Sequence, residues 1–208
     1  GFMFHNNCEN GSFELFDQML TTIEERFGHL LAQVEWVSLG GGIHFTGDDY
    51  PLDQFCARLK AFSEKYGVQV YLEPGEASIT KSTTLEVTVL DRLYNGKDLV
   101  VVDSSIEAHL LDLLIYRESA KVHPNQGPHR YQVCGKSCLA GDIFGEFNFE
   151  QELNIGDRIS LQDTAGYTMV KKNWFNGVQM PAIAIRELDG SLRTVREFDY
   201  TDYEQSLS

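Results

Sequence analysis

The chain has 208 residues, with 17 Lys and Arg against 31 Asp and Glu and a formal net charge of -14. That balance excludes a protein that grips a phosphate backbone through clustered Lys and Arg. At 42% hydrophobic and 12% aromatic residues the chain can bury a core, yet it is shorter than the roughly 250 residues of a complete eightfold α/β barrel.

The opening Gly1-Phe2-Met3-Phe4-His5 has no basic n-region or apolar h-region. No apolar run approaches the roughly 20 residues of a bilayer span, so a soluble cytoplasmic protein is expected. Phe2 to Phe4 reads as a strand, so near the start that a preceding segment is expected. Ser12 then caps a helix in which Phe13, Phe16, Leu20, Ile23, Phe27 and Leu30 recur at spacings of three and four. Val34 to Leu39 is a second strand and Gly40-Gly41-Gly42 its exit. A second helix enters at Pro51 and ends at Gly67, with Leu52, Phe55, Leu59, Phe62 and Tyr66 on its apolar face. Val68 to Leu72 is a third strand. This alternation predicts βαβ units with a parallel sheet and outer helices. Chemistry in such sheets gathers at the carboxyl ends of the strands. Here these ends carry His5-Asn6-Asn7-Cys8, the triple glycine and Glu73-Pro74-Gly75-Glu76.

After about residue 80 the rhythm changes. Leu85 to Leu90, Leu99 to Val102, Arg130 to Cys134, Arg158 to Leu161, Ala182 to Leu188 and Leu192 to Phe198 are short β-rich runs, with turns at Asn95-Gly96 and Asp189-Gly190. Only Ile106 to Tyr116 reads as helix. A mostly antiparallel β domain over 81–208 is expected to follow an α/β domain over 1–80.

Taken singly, the motifs leave alternatives open. The triple glycine offers unhindered N–H groups to a phosphate, or is a tight strand exit. Glu73 can pair with a protonated heterocycle nitrogen or with a nearby Arg. The four cysteines fit free thiols in a reducing compartment. Cys134 and Cys138, spaced C-x3-C, lack the second pair of a zinc site, and a reactive Cys138 beside a buried Cys134 is expected instead. Among the six histidines His5 is best placed for chemistry, while His29, His109, His123 and His129 read as surface or packing residues. The loops Asp163 to Thr168 and Asn173 to Gly177 are aromatic and polar, suited to lining a pocket or to ordinary capping.

In order, His5-Asn6-Asn7, the triple glycine, Glu73-Pro74-Gly75, the Cys-Gly-Lys-Ser-Cys138-Leu-Ala-Gly-Asp142 run, Ala-Gly-Tyr167 and Phe175-Asn-Gly resemble the fold-type III pyridoxal-phosphate decarboxylases, the group of ornithine and diaminopimelate decarboxylases. The resemblance covers the whole chain. It implies part of an alanine-racemase-like (β/α)8 barrel in 1–80 and a C-terminal antiparallel β domain in 81–208. It also implies pyridoxal 5'-phosphate as cofactor and a homodimer with shared active sites.

By resemblance, His5 stacks on the cofactor ring, Gly40, Gly41 and Gly42 cradle its phosphate, Glu73 pairs with the pyridine nitrogen and Tyr167 lies near the phosphate. Cys138 is the catalytic cysteine reaching across the dimer, and Phe175 lines the pocket. Glu76 and Asp112 fall where relatives carry Arg, which implies a substrate with a cationic far end, or else two solvated surface acids. A carboxylated triamine fits: carboxynorspermidine or carboxyspermidine, decarboxylated to norspermidine or spermidine in polyamine biosynthesis. Leu139 replaces an acid that relatives carry after the cysteine, which keeps diaminopimelate, ornithine or arginine open as substrates. The family's Schiff-base lysine lies on the first barrel strand, and no lysine here matches it. A non-catalytic relative is therefore a further alternative. Neither a metal, nor a nucleic acid, nor a membrane partner is expected.

Overall fold

The computed structural model describes residues 1–207. Two compact units divide at Thr80 and Lys81.

In the first unit β1 (Phe2–Met3), β2 (Trp36–Ser38) and β3 (Gln69–Tyr71) form a parallel sheet in that order, with α1 (Phe13–Leu31) and α2 (Leu52–Tyr66) as the crossovers. Its register sets Phe2 beside Val37 and Val37 beside Val70, and likewise Met3, Ser38 and Tyr71. The Ser12 Oγ accepts the Leu15 N–H and starts α1, and Gly67, left-handed at φ 67°, ends α2. Phe16, Leu20 and Ile23 of α1 meet Phe55 and Phe62 of α2 above Val37, with the Phe16 and Phe55 rings edge-on at 4.8 Å. At the end of α1 it is Leu31 that is buried, while Phe27 stays 39% exposed, a one-residue departure from the expected stripe. The Arg58 guanidinium ties the helices by pairing with both Asp17 and Glu24. Alternation turns Met3, Trp36 and Tyr71 to the face away from the helices, and these three are 56%, 39% and 52% exposed.

The second unit is built on β4 (Thr84–Tyr94), β5 (Asp98–Val102), β6 (Lys121–Val122), β7 (His129–Cys134), β8 (Ile143–Phe149) and β9 (Arg158–Gln162). They are ordered β6-β9-β4-β5-β7-β8. A register shift between Val89 and Asp91 lets the long β4 pair with β9 through its first half and with β5 through its second. Only β5 and β7 are parallel. The ends of the sheet meet where the Ala120 N–H donates to the Phe144 carbonyl at 2.7 Å, so the sheet is a nearly closed barrel. Val87, Val100, Val133, Phe144 and Leu161 fill its interior with at most 1% exposure each.

The helix expected over Ile106 to Tyr116 is two, α3 (Ile106–His109) and α4 (Leu111–Tyr116), broken at the non-helical Leu110. Among the strands and α-helices four have no counterpart in the sequence reading: β6, β8, α5 (Tyr167–Lys171) and α6 (Tyr200–Gln205). The last is started by an Asp199 capping box. A separate hairpin, β10 (Ile183–Arg186) and β11 (Leu192–Arg196), turns at the expected Asp189-Gly190. Among the described residues no helix is long and apolar enough to cross a membrane.

Candidate active site

The expected site residues fall into two groups, one in each unit. In the first unit the parallel ladder runs on past the strands. Phe4 N–H donates to Ser38 O, Leu39 N–H to Tyr71 O and Glu73 N–H to Gly40 O, each at 2.9 Å. This continuation sets His5, the glycines and Glu73 side by side at the carboxyl ends. Gly41 N–H donates to His5 Nδ1 at 3.3 Å. Nδ1 is thus the acceptor, and the neutral ring carries its proton on Nε2, which lies 3.5 Å from Cys8 Sγ. The Ser38 hydroxyl donates to Glu73 Oε1 at 2.7 Å and accepts the Gly40 N–H at 3.2 Å.

The glycines are required by close packing. A Cβ at Gly41 would collide with the Glu73 carbonyl oxygen, and one at Gly42 with the Asn7 carbonyl. Gly40 and Gly42 also hold φ of 71° and 86°. Of the N–H groups expected to be open to a phosphate, those of Gly40 and Gly41 are already used within the protein. Glu76 opens the turn Glu76–Ser78 directly after Pro74-Gly75, half-buried.

In the second unit Asp112, Cys138, Tyr167 and Phe175 come from four segments knitted by side-chain amides and carboxylates. Exposed Cys138 is a free thiol whose backbone N–H donates to Asn176 Oδ1 at 2.7 Å. Asn176 lies in the turn after Phe175, left-handed at φ 59°. Asn173 fastens that turn to α3, with its N–H on Ala108 O at 2.8 Å and its Nδ2 on Glu107 O at 3.0 Å. The cysteine loop is fixed from its other side by buried Asp142. Its Oδ1 accepts the Ile106 N–H at 2.7 Å, and its Oδ2 accepts both the N–H and the hydroxyl of Ser137, at 2.9 and 2.6 Å.

Asp112 of α4 pairs with Lys171 of α5 at 2.5 Å, and the same ammonium stands 4.6 Å over the Tyr167 ring. The Asp112 hydrogen bond holds the Lys171 ammonium above its ordinary pKa. Cys134, expected to be buried, is half-buried on the last residue of β7, and the burial it has raises its thiol pKa.

Three residues of these frameworks escape the motif reading. Asn176 and Asp142 lie inside quoted runs, where neighbouring residues draw the attention, and Ser38 ends an apolar strand two residues before the glycines. A hydroxyl at that position, on a strand aimed at a carboxylate, is the one signal that could have marked Ser38.

Comparison with known proteins fits this geometry. A model of the pyridoxal-dependent decarboxylase C-terminal sheet domain matches residues 19–165. The chain is 65% identical over 100% of its length to the carboxynorspermidine/carboxyspermidine decarboxylase of Herminiimonas arsenicoxydans, and 38% identical over 98% to the protein of that name from Campylobacter jejuni. It spans 57% of the length of each of these relatives. Among solved structures, carboxynorspermidine decarboxylase from Campylobacter jejuni, complexed with norspermidine, superposes with a TM-score of 0.89 at 36% identity, over 98% of this chain and 59% of that one. The chain belongs to the pyridoxal-dependent decarboxylase family.

Proposed function

We propose that the complete protein is a cytoplasmic homodimer that uses pyridoxal 5'-phosphate to decarboxylate carboxynorspermidine or carboxyspermidine, releasing norspermidine or spermidine. The observation that carries this reading is the framework of Ser38, Glu73, His5 and Gly41 at the carboxyl ends of a parallel sheet. The identity to relatives of that activity supports it over the whole chain.

The first unit is read as part of a (β/α)8 barrel. Supporting this are its parallel order, its helices on a single face and the exposed Met3, Trp36 and Tyr71 on the other. The residues fit the cofactor: a carboxylate and an imidazole are fixed next to a backbone kept free of side chains. When bound, the cofactor supplies an electron sink for the electrons left by departing CO2. Glu73, oriented by Ser38, would hold a proton on the pyridine nitrogen and so keep that sink open. His5 would press against the ring. With the Gly40 and Gly41 N–H groups spent on Ser38 Oγ and His5 Nδ1, the phosphate would meet the glycine loop at Gly42, Gly40 and Gly41 would space the strand ends beside it, and Tyr167 would be a further phosphate contact.

In the dimer Cys138 would enter the partner's site and hold at Sγ the proton that returns to the substrate carbon. The clamps from Asn176 and Asp142 set where that sulfur stands. Glu76 and Asp112 would take the cationic far end of the substrate, against a wall given by Phe175. Asp112 must first exchange Lys171 for the substrate amine, so an Asp112→Asn variant should raise the KM for the triamine and leave the kcat nearly unchanged. An unaltered KM would make Asp112 an ordinary partner of Lys171.

The experiment for the whole reading is CO2 release by the complete protein. Carboxynorspermidine should react, and ornithine and diaminopimelate should not. The opposite pattern rejects the substrate. Borohydride reduction that leaves no pyridoxyl-lysine in the complete protein rejects the enzyme.

A further inference from the structure

The loop of Cys138 leans on a backbone that is itself unfavourable. Asn176, whose Oδ1 accepts the Cys138 N–H at 2.7 Å, holds φ 59° and ψ 13°, and Gly177 follows at φ 65°. Two successive positive φ values, one of them at a residue with a side chain, persist only where the surroundings over-determine them. Asn173 fixes the start of this turn. Its N–H and Nδ2 bond to α3, and its Oδ1 accepts the Phe175 N–H at 2.8 Å.

Tyr203 of α6 meets both ends of the same turn. Its ring lies 5.7 Å from the ring of Trp174, at an interplanar angle of 55°. It also stands beside Gly177, where an added methyl group would come within 3.7 Å of the Tyr203 Cζ and Oη. Phe175 and Asn176 lie between these two contacts. We infer that Tyr203 is a positioning residue for Cys138, holding the Phe175–Gly177 turn in the left-handed form from which Asn176 grips the cysteine N–H. The inference rests on the reading of Cys138 as the holder of the returning proton, and adds the side chain that keeps its support in place.

The helix that carries Tyr203 is moored for such a role. Six residues are too few for a helix to persist in water unaided. Asp199 starts α6 by accepting the Thr201 and Asp202 N–H groups, and the Arg196 guanidinium donates to Asp202 at 2.9 Å. Phe198, just before the helix, sets a second ring 6.2 Å from Trp174, and its carbonyl accepts Gln179 Nε2 at 2.6 Å. Gln179 follows the turn by two residues, so the start of α6 is tied to the very segment that Tyr203 braces. An aromatic ring suits the brace because it covers a large area with only two side-chain rotations to fix.

The test uses the complete, cofactor-loaded protein labelled with ¹⁵N-cysteine. Hydrogen exchange is followed at Cys138 and, as a reference, at Cys134 on β7, with the Cys138 signal identified by its loss in Cys138→Ala. Tyr203→Ala should speed exchange at Cys138 alone. It should also lower kcat for carboxynorspermidine by up to about a hundredfold, the order that an ångström of misplacement costs, and alter KM far less. Tyr203→Phe, which keeps the ring, should restore both, and Tyr203→Leu replaces Tyr203→Ala should that variant fail to fold. Unchanged exchange at Cys138, equal acceleration at Cys134, or no rescue by Tyr203→Phe would overturn the inference. So would a kcat preserved in Tyr203→Ala and lost in Cys138→Ala. A kcat preserved in both would instead reject the role given to Cys138, and Tyr203 would then stand or fall on the exchange rates.

Discussion

The two units treat the exposed parts of a sheet in opposite ways. In the β unit the Ala120 to Phe144 hydrogen bond joins the ends of a six-stranded sheet around a filled interior. Three strands in the α/β unit carry helices on one face and leave Met3, Trp36 and Tyr71 half open on the other. Both nevertheless hold proposed site residues in well-tied frameworks. Site geometry here depends on a few side chains that bond to neighbouring backbone, and on glycines that admit close approach. Closure of the sheet is a separate matter that governs where stability resides.

Truncations should expose that difference most strongly. Phe144→Ala, at a fully buried position in the closed sheet, should cost about 3–5 kcal/mol in urea unfolding. Trp36→Ala on the open face should cost about 1–2 kcal/mol. Equal costs in the complete protein would show that the open face is covered there and erase the contrast between the units.

The next largest effect belongs to His109. An unfolded histidine binds its proton near pH 6.5, whereas this buried ring binds it only near pH 4, so between these values the unfolded state takes up the proton. The stabilisation is complete above pH 6.5 and is lost as pH falls, by about 3 kcal/mol at pH 4. His109→Asn should flatten that slope in melts recorded across the range. A slope that survives the substitution would place the acid sensitivity elsewhere.

Asp142→Asn should cost about 2 kcal/mol through weakened charge-assisted bonds. It should speed amide exchange at Ser137 and Ile106 but not on β4. Smallest is Ser38→Ala, at about 1 kcal/mol for one hydroxyl. Its sharper readout is faster loss of pyridoxal phosphate on dialysis of the complete protein, as Glu73 loses its orientation. Unchanged retention would detach Ser38 from cofactor binding.

Much of this architecture was legible because its signals are local and regular. The stripes of α1 and α2, the Asn95-Gly96 and Asp189-Gly190 turns, and the apolar runs of β4, β5, β7 and β9 all announce themselves. The strand β8 does not. Gly145, at φ 142°, sits where the register with β7 shifts, and that bulge interrupts the alternation by which a strand is recognised. With five residues α5 is too short to build a stripe, and the break at Leu110, at φ -135° and ψ 46°, falls inside an apolar run that reads as one helix. The candidate site was legible as ordered motifs. What holds those motifs in place was not: Ser38 to Glu73 spans 35 residues and Cys138 to Asn176 spans 38, distances at which periodicity carries no information.

The contact between Gly41 and Glu73 bears on how the glycine loop can be interrogated. An added methyl group there would strike the carbonyl of the very residue that presents the carboxylate, and would part the strand ends that carry His5 and Glu73. Loss of activity in a Gly41 variant would therefore report on the spacing of the backbone as much as on any phosphate. Residue 41 behaves as a spacer whose size sets the separation of two neighbouring groups. A fair trial of phosphate binding must leave it untouched and alter the chain where a side chain has room.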